Sequence, residues 1–301
     1  MTKHHVNPAQ ISNRSIVRIK EMGNITEIMH SEKRSLGGYI SKLSKEEYVD
    51  TRTGEVREFH HNEARKDDAE SVAKSLVRLR DYLNTNITDT SKCRWLTLTY
   101  AQNMTSPQKL KSDFKNFNMR CRKKFGHYEY IAAAEPQGRG AWHLHIVLIF
   151  PHPAPFMPNK AVSDCWKQGF VTVRKLDNID NVGAYLTAYL GDMELGEYEA
   201  LYPNKPVGEI KEAIAGAESK YIVKGARLSM YPVGFHLYRC SKGIKAPIIR
   251  RDSYENIRRE LGDLEPTYRS SIHITDKASG FENTITREFF SRNRKQGGKQ
   301  E

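Results

Sequence analysis

The chain has 301 residues, 38% of them apolar, with 48 Lys and Arg against 36 Asp and Glu, a formal charge of +12. That length suits one large domain or a core with two modest flanks, and no apolar run is long enough to span a bilayer. The basic balance points to a polyanionic partner, nucleic acid first, although a soluble protein can be basic without one.

The opening MTKHHVNPAQ has no apolar h-region, so no secretory signal is expected and a cytoplasmic location follows. Cys93, Cys121, Cys165 and Cys240 lie far apart with no CxxC pair. They suit reduced, partly buried residues rather than a zinc ribbon.

Residues 1 to about 68 are polar and weakly periodic, and are read as a flank ordered in part at best. A helix is predicted over DAESVAKSLVRLRDYLN, where Val72, Leu76, Leu79 and Leu83 recur at helical spacing, so the flank is drawn as 1–90. WLTLTY (Trp95 to Tyr100) reads as a strand. A second helix begins at TSPQ, with Ser106 as cap and Pro107 at the first helical position. Its buried stripe is Leu110, Phe114, Phe117 and Cys121. Its Lys111, Lys115, Arg122 and Lys123 form a solvated face that could touch DNA, and it stops at Phe125-Gly126.

Two strand-like runs follow, HYEYIAAAE and AWHLHIVLIF. The turn-rich PQGRG between them predicts a hairpin. PHPAPFMP is a proline-rich loop, and a short helix around Trp166 ends near Gly169. FVTVRKL alternates as a strand, and VGAYLTAYLGD reads as a helix that Asn181 could cap. After residue 246 come a helix near Tyr254 to Leu261, a strand at YRSSIHIT, and a basic tail, RNRKQGGKQE, expected to fray. Residues 251–301 are read as a basic C-terminal extension.

The strongest chemical signal is His143-Leu144-His145 inside an apolar strand. Alternation puts both imidazoles on one sheet face, about 7 Å apart along the strand, where they could share a divalent ion. Taken alone, the pattern is more simply two histidines on a half-exposed strand. Glu135 ends the preceding strand, and the hairpin folds its carboxylate back beside them. One Glu and two His with open positions suit Mg²⁺ or Mn²⁺. Tyr185 and Tyr189, an i, i+4 pair, face one way on the predicted helix. A phenol is a known nucleophile type, but a bare YxxxY is more simply a buried stripe. No GxxxxGK[ST], GxSxG or kinase set occurs, so no built-in motor is expected.

WLTLTY, HLHIVLIF and GAYLTAYL, in this order, resemble the three motifs of the HUH endonucleases. More narrowly they resemble rolling-circle replication initiators of bacterial plasmids, integrative elements and single-stranded phages, over about residues 91–250. YRCSKGIKAP resembles the basic strand that follows the tyrosine helix in some of these. The resemblance implies an α/β (α+β) sandwich of ferredoxin-like type, in which a central antiparallel sheet of about five strands carries the histidines under the tyrosine helix. It implies metal binding by His143, His145 and Glu135, with Mg²⁺ or Mn²⁺, and attack by Tyr185 and Tyr189 on single-stranded or hairpin origin DNA. The expected outcome is nicking and rejoining through a 5′-phosphotyrosine, with a host helicase and DNA polymerase as further partners and no membrane.

One departure is visible. Ala188 and Asp192 stand where many members carry lysine, and Lys242 and Lys245 are the candidate substitutes. DNA contacts are assigned to Lys242, Lys245, Arg139 and Trp142, with Tyr100 as a second stacking candidate. Two alternatives remain open. One is a relaxase or single-strand transposase with the same chemistry, and the other is a non-catalytic binder of single-stranded nucleic acid.

Overall fold

The structure is a computed structural model that describes residues 2–292, other than 34–39, 45, 52, 59–68, 139, 177–182, 184–189, 216–217, 233 and 277–279. The N-terminal part supplies β1 (Thr2–Val6), β2 (Ile16–Met22), β3 (Ile25–Ser31), β4 (Ile40–Lys42), β5 (Glu47–Asp50) and β6 (Val56–Glu58). The middle begins with α1 (Ala69–Asn86), β7 (Cys93–Thr99), α2 (Pro107–Phe125), β8 (Glu129–Pro136), β9 (Trp142–Ile149), α3 (Asn159–Trp166) and β10 (Val171–Arg174). It continues with β11 (Met193–Glu194), α4 (Leu195–Leu201), β12 (Ile210–Ala215), β13 (Glu218–Val223), a 3-10 turn (Ala226–Met230) and β14 (Tyr238–Cys240). The C-terminal part adds β15 (Ile248–Ser253), α5 (Tyr254–Leu261), β16 (Tyr268–Asp276) and β17 (Phe281–Ser291).

Two compact units result: Ala64–Pro247, and Met1–Glu63 together with Ile248–Glu301. The architecture is mixed α/β with antiparallel sheets. Among the described residues, no helix is long and apolar enough to cross a membrane.

The middle unit is built on a five-stranded sheet in the order β10-β7-β9-β8-β14, antiparallel throughout and with the expected strand number. Alternation along its strands separates two faces. Leu96, Leu98, Ala132, Ala134, Leu144 and Ile146 point to the face covered by α2 and α3. Trp95, Ile131, Ala133, Val147 and both histidines point to the other, where Leu79 and Leu83 of α1 pack. The second helix starts as its sequence predicts: Ser106 accepts from Lys109 N and Pro107 sits at the first position, while Gly126, at φ 88°, closes it. Leu110, Phe114, Phe117 and Cys121 are its buried stripe. β11, β13 and β12 form a separate three-stranded sheet.

The flanks depart from expectation. Residues 1–90 and 251–301 read as two separate extensions, the first ordered in part at best. Instead three strands from residues 2–31 and three from residues 248–291 fold together into one six-stranded antiparallel sheet, β1-β16-β17-β3-β2-β15, while β4, β5 and β6 form a separate three-stranded sheet and α1 belongs to the middle unit. On one face Val17, Ile19, Ile28 and Phe290 pack beneath Tyr254, Ile257 and Leu261 of α5. Charged side chains on the other face pair across strands, Lys20 to Glu27 at 3.1 Å with both ends about nine-tenths buried. Neither half has enough apolar surface or strands to close a core alone, so each reads as polar until the other is added. The helix expected near Tyr254 and the strand expected at YRSSIHIT are present as α5 and β16.

Candidate metal centre

The β8–β9 hairpin sets the geometry. Its register pairs Glu135 with His143 and Ala133 with His145. On the other side β7 pairs Thr99 with His143 and Thr97 with His145. Cross-strand partners share a sheet face, so the carboxylate and both imidazoles converge. One donor atom from each lies within 4.8 Å of the others. An ion about 2.1 Å from each donor needs separations of at most about 4.2 Å, so small side-chain adjustments would let this group hold a metal ion. One carboxylate with two imidazoles suits a divalent cation that keeps open positions for other ligands.

Glu135 is only 7% exposed. Burial pushes its carboxyl up, but the hydrogen bond from His145 and the charges of His145, Arg227 and His143 outweigh that and hold it below its ordinary value. It is therefore anionic at neutral pH, as a metal-binding carboxylate would have to be. Oε2 lies 2.5 Å from His145 Nε2, and His145 Nδ1 lies 3.4 Å from Thr97 Oγ1.

Sequence reasoning missed Arg227. Its Nε sits 3.1 Å from Glu135 Oε1, with the arginine and glutamate side chains 10% and 9% exposed. The guanidinium also donates to Glu197 Oε2 at 2.6 Å, Pro136 O at 3.0 Å and Asp192 O at 2.7 Å. Asp192 Oδ1 accepts from Gly225 N at 3.0 Å, which holds the turn before Arg227. Asp192 stands at one of the expected lysine positions; here it positions a different cation at the site.

His143 opens onto a cleft of about 520 Å³ between Thr99, the Gln137-Gly138 turn and Glu197 and Leu201 of α4. Gly138 N donates to Glu197 Oε1 at 3.1 Å. A Cβ on Gly138 would lie 2.8 Å from Leu201 Cδ1, so a larger residue there would displace the ends of the α4 side chains that border the cleft.

Tyr185, Tyr189 and Arg139, with the proposed cap Asn181, lie outside the described residues. The helical residues on either side of the tyrosines are described. Gly183 is buried, and its N–H donates to Asn84 Oδ1 of α1 at 3.2 Å. A Cβ there would lie 2.7 Å from Arg80 O. Leu190, 1% exposed, packs with Leu79, Leu83, Ala133 and Val147 on the histidine face. Its carbonyl and that of Ala134 both accept from Tyr231 Oη, at 2.9 and 3.0 Å.

Three further expectations are corrected or relocated. Trp142 is 3% exposed, stacks on Phe235 with centroids 4.5 Å apart, and donates from Nε1 to Thr105 O. It lies on the face opposite the histidines and offers no surface to a base. Tyr100 is likewise buried, donating to Asp113 Oδ2 at 2.9 Å. Lys242 and Lys245 follow β14, beside Gly243, whose N–H reaches Glu129 at the start of β8. That is the opposite end of β8 from Glu135, roughly 20 Å along the strand, so neither lysine joins the metal group.

Residues 93–194 match a family model for replication-associated proteins of the ORF2 type. The matched segment is roughly a third of the chain, and its similarity to a replication-associated family agrees with the resemblance to rolling-circle initiators. It holds Glu135, His143 and His145 together with the tyrosine pair. No curated protein and no solved structure matches the chain.

Proposed function

We propose that this chain initiates rolling-circle replication by nicking and rejoining single-stranded DNA through a 5′-phosphotyrosine. The observation that carries the reading is the convergence of Glu135, His143 and His145 on one sheet face within the replication-associated segment. Leu190, the residue after Tyr189, packs on that same face.

A Mg²⁺ or Mn²⁺ ion held by Glu135, His143 and His145 would supply positive charge to the non-bridging oxygens of a scissile phosphate and to the departing 3′ oxygen. The protein's own parts divide the remaining work. Glu135, kept anionic by His145 and Arg227, balances the cationic charge. The tyrosine segment, held at its start by Asn84 and near its end by Tyr231, brings Tyr185 or Tyr189 to the phosphate. A free phenol ionises near pH ~10; the Arg227 guanidinium is taken up by Glu135 and Glu197, so the positive charge favouring the phenolate would be that of the ion held at the site. The phenolic proton leaves to water as the oxygen attacks in line. The new bond is tyrosine oxygen to phosphorus, the bond broken is phosphorus to O3′, and O3′ takes up a proton to become the 3′-OH primer.

Because the phosphoester is conserved, the reverse attack rejoins the strand. With two tyrosines, one can cleave again while the other still holds DNA. Arg139 would contact the DNA backbone, Lys242 and Lys245 would contact it away from the scissile phosphate, a host helicase would unwind ahead, and a host polymerase would extend the 3′-OH.

Incubation of His143→Ala and His145→Ala with labelled single-stranded origin oligonucleotides, with and without Mn²⁺, tests this. Both variants should lose nicking while keeping salt-sensitive binding, because lysines and arginines supply most of the affinity. Wild-type nicking rates in both variants would remove the metal centre from the reaction.

A further inference from the structure

Phe170 is 74% exposed although it adjoins a sheet. Isolated exposed apolar residues are common and need no special explanation; what distinguishes Phe170 is where the fold holds it. Thr99 N donates to Phe170 O at 2.9 Å, which continues the β10–β7 register in which Val171 faces Leu98. Phe170 therefore stands opposite Thr99, Thr99 stands opposite His143, and His143 stands opposite Glu135. The four form one row across the sheet and share the histidine face. Two inter-strand steps put the Phe170 backbone about 10 Å from that of His143.

The seating is close. A Cβ on Gly169 would lie 2.4 Å from both Ala101 N and Thr99 O, so the chain before Phe170 is pressed against the end of β7 as only glycine allows. Alternation along β10 then puts Thr172 and Arg174, both exposed, on the same face as Phe170. β10 is the edge strand of the sheet. The metal face is thus bordered by an aromatic ring, a hydroxyl and a guanidinium at successive outward positions. That combination tracks a single strand: a ring on which any base can stack and a cation for the backbone.

We propose that Phe170 is the stacking platform for a base of the single strand whose phosphate lies at Glu135, His143 and His145, with Arg174 on that strand's backbone. The inference rests on the nicking function proposed above and adds a substrate-positioning residue to it. It replaces Trp142 and Tyr100, whose rings the fold buries.

The test is fluorescence anisotropy with labelled oligothymidylate in EDTA, so that no metal chemistry enters. Phe170→Ala should weaken binding about 5- to 150-fold, the range of one base–aromatic stack, while Phe170→Trp stays within a few-fold of wild type. In an abasic scan of the oligonucleotide, one position should cost wild type affinity and cost Phe170→Ala almost none. Arg174→Ala should lower the salt slope by about 0.7, the value for one phosphate contact on a single strand, and Phe170→Ala should leave the slope unchanged. The proposal is overturned if Phe170→Ala binds as wild type, or if the abasic scans of the two proteins coincide. Nicking with Mn²⁺ is scored separately. A wild type that nicks beside a normally binding Phe170→Ala sinks this inference alone. Phe170-dependent binding in a protein that never nicks sinks the nicking function and leaves the stack standing.

Discussion

Replacing Arg227 with methionine keeps the side chain's bulk and removes its charge. The guanidinium bridges the buried Glu135 carboxylate, the partly exposed Glu197, and the carbonyls of Pro136 and Asp192. Removing one partner of a buried ion pair typically costs about 3–5 kcal/mol, because the other charge is left stranded. Glu197 is 31% exposed and can turn to water, so only Glu135 is counted and the lower value, about 3 kcal/mol, applies. For a unit of this size each kcal/mol moves the midpoint by about 2–4 °C, so thermal unfolding should fall by about 6–12 °C. Arg227→Lys should recover less than half, because one ammonium cannot reach acceptors spread around a planar fork. The same scan with millimolar Mn²⁺ links the bridge to the metal group. Glu135 has lost a counter-charge, so the ion should raise the midpoint of Arg227→Met more than that of wild type, and Glu135→Gln should abolish the difference. An Arg227→Met midpoint within about 1 °C of wild type would refute the buried bridge, and a rise with Mn²⁺ that ignores Glu135 would refute its part in the metal group.

Gly183→Ala should press a methyl against Arg80 O and Asn84, costing about 1–3 kcal/mol as overpacking does and lowering nicking more than oligonucleotide affinity, read by single-turnover cleavage beside anisotropy. Glu129 gives a pH signature. Burial pushes its carboxyl up, but hydrogen bonds from Ser241 and Gly243 N–H and the nearby His127 outweigh this and hold it below 4.5. A carboxyl lowered in the folded state contributes stability above its unfolded value, and that contribution is lost as pH falls through the folded one. Glu129→Gln should therefore flatten the fall in stability below about pH 4.5, read by urea unfolding across pH; curves that stay parallel there would remove the carboxylate's role.

The central site was legible because strand alternation is strict. His143 and His145 had to share a face, and a hairpin turn had to bring Glu135 back to them; the structure pairs Glu135 with His143 directly. The same alternation puts Trp142 with Leu144 and Ile146 on the opposite face, so its burial was also written in the sequence. Arg227 was not legible: it is one of 48 basic residues, carried by a 3-10 turn with no periodicity, and only the fold brings it to Glu135. Phe170 read as the start of a strand, but its exposure depends on β10 being an edge, which is a matter of topology. The six-stranded sheet was hidden because its strands come from both ends of the chain, and pairs such as Lys20 with Glu27 look solvated until the strands meet.

The most direct measurement is the covalent adduct itself. Wild type, Tyr185→Phe, Tyr189→Phe and the double variant are incubated with single-stranded origin oligonucleotide and Mn²⁺, and the linked peptide is identified by mass spectrometry. Loss of one hydroxyl scarcely alters packing, so the comparison reads chemistry rather than folding. Wild type should carry a 5′-phosphate on Tyr185 or Tyr189. Each single variant should cleave once and fail the second cleavage, and the double variant should carry no adduct. A double variant that still becomes covalently linked to DNA would contradict the tyrosine mechanism, and a wild type that forms no adduct with any divalent metal would contradict the nicking function itself.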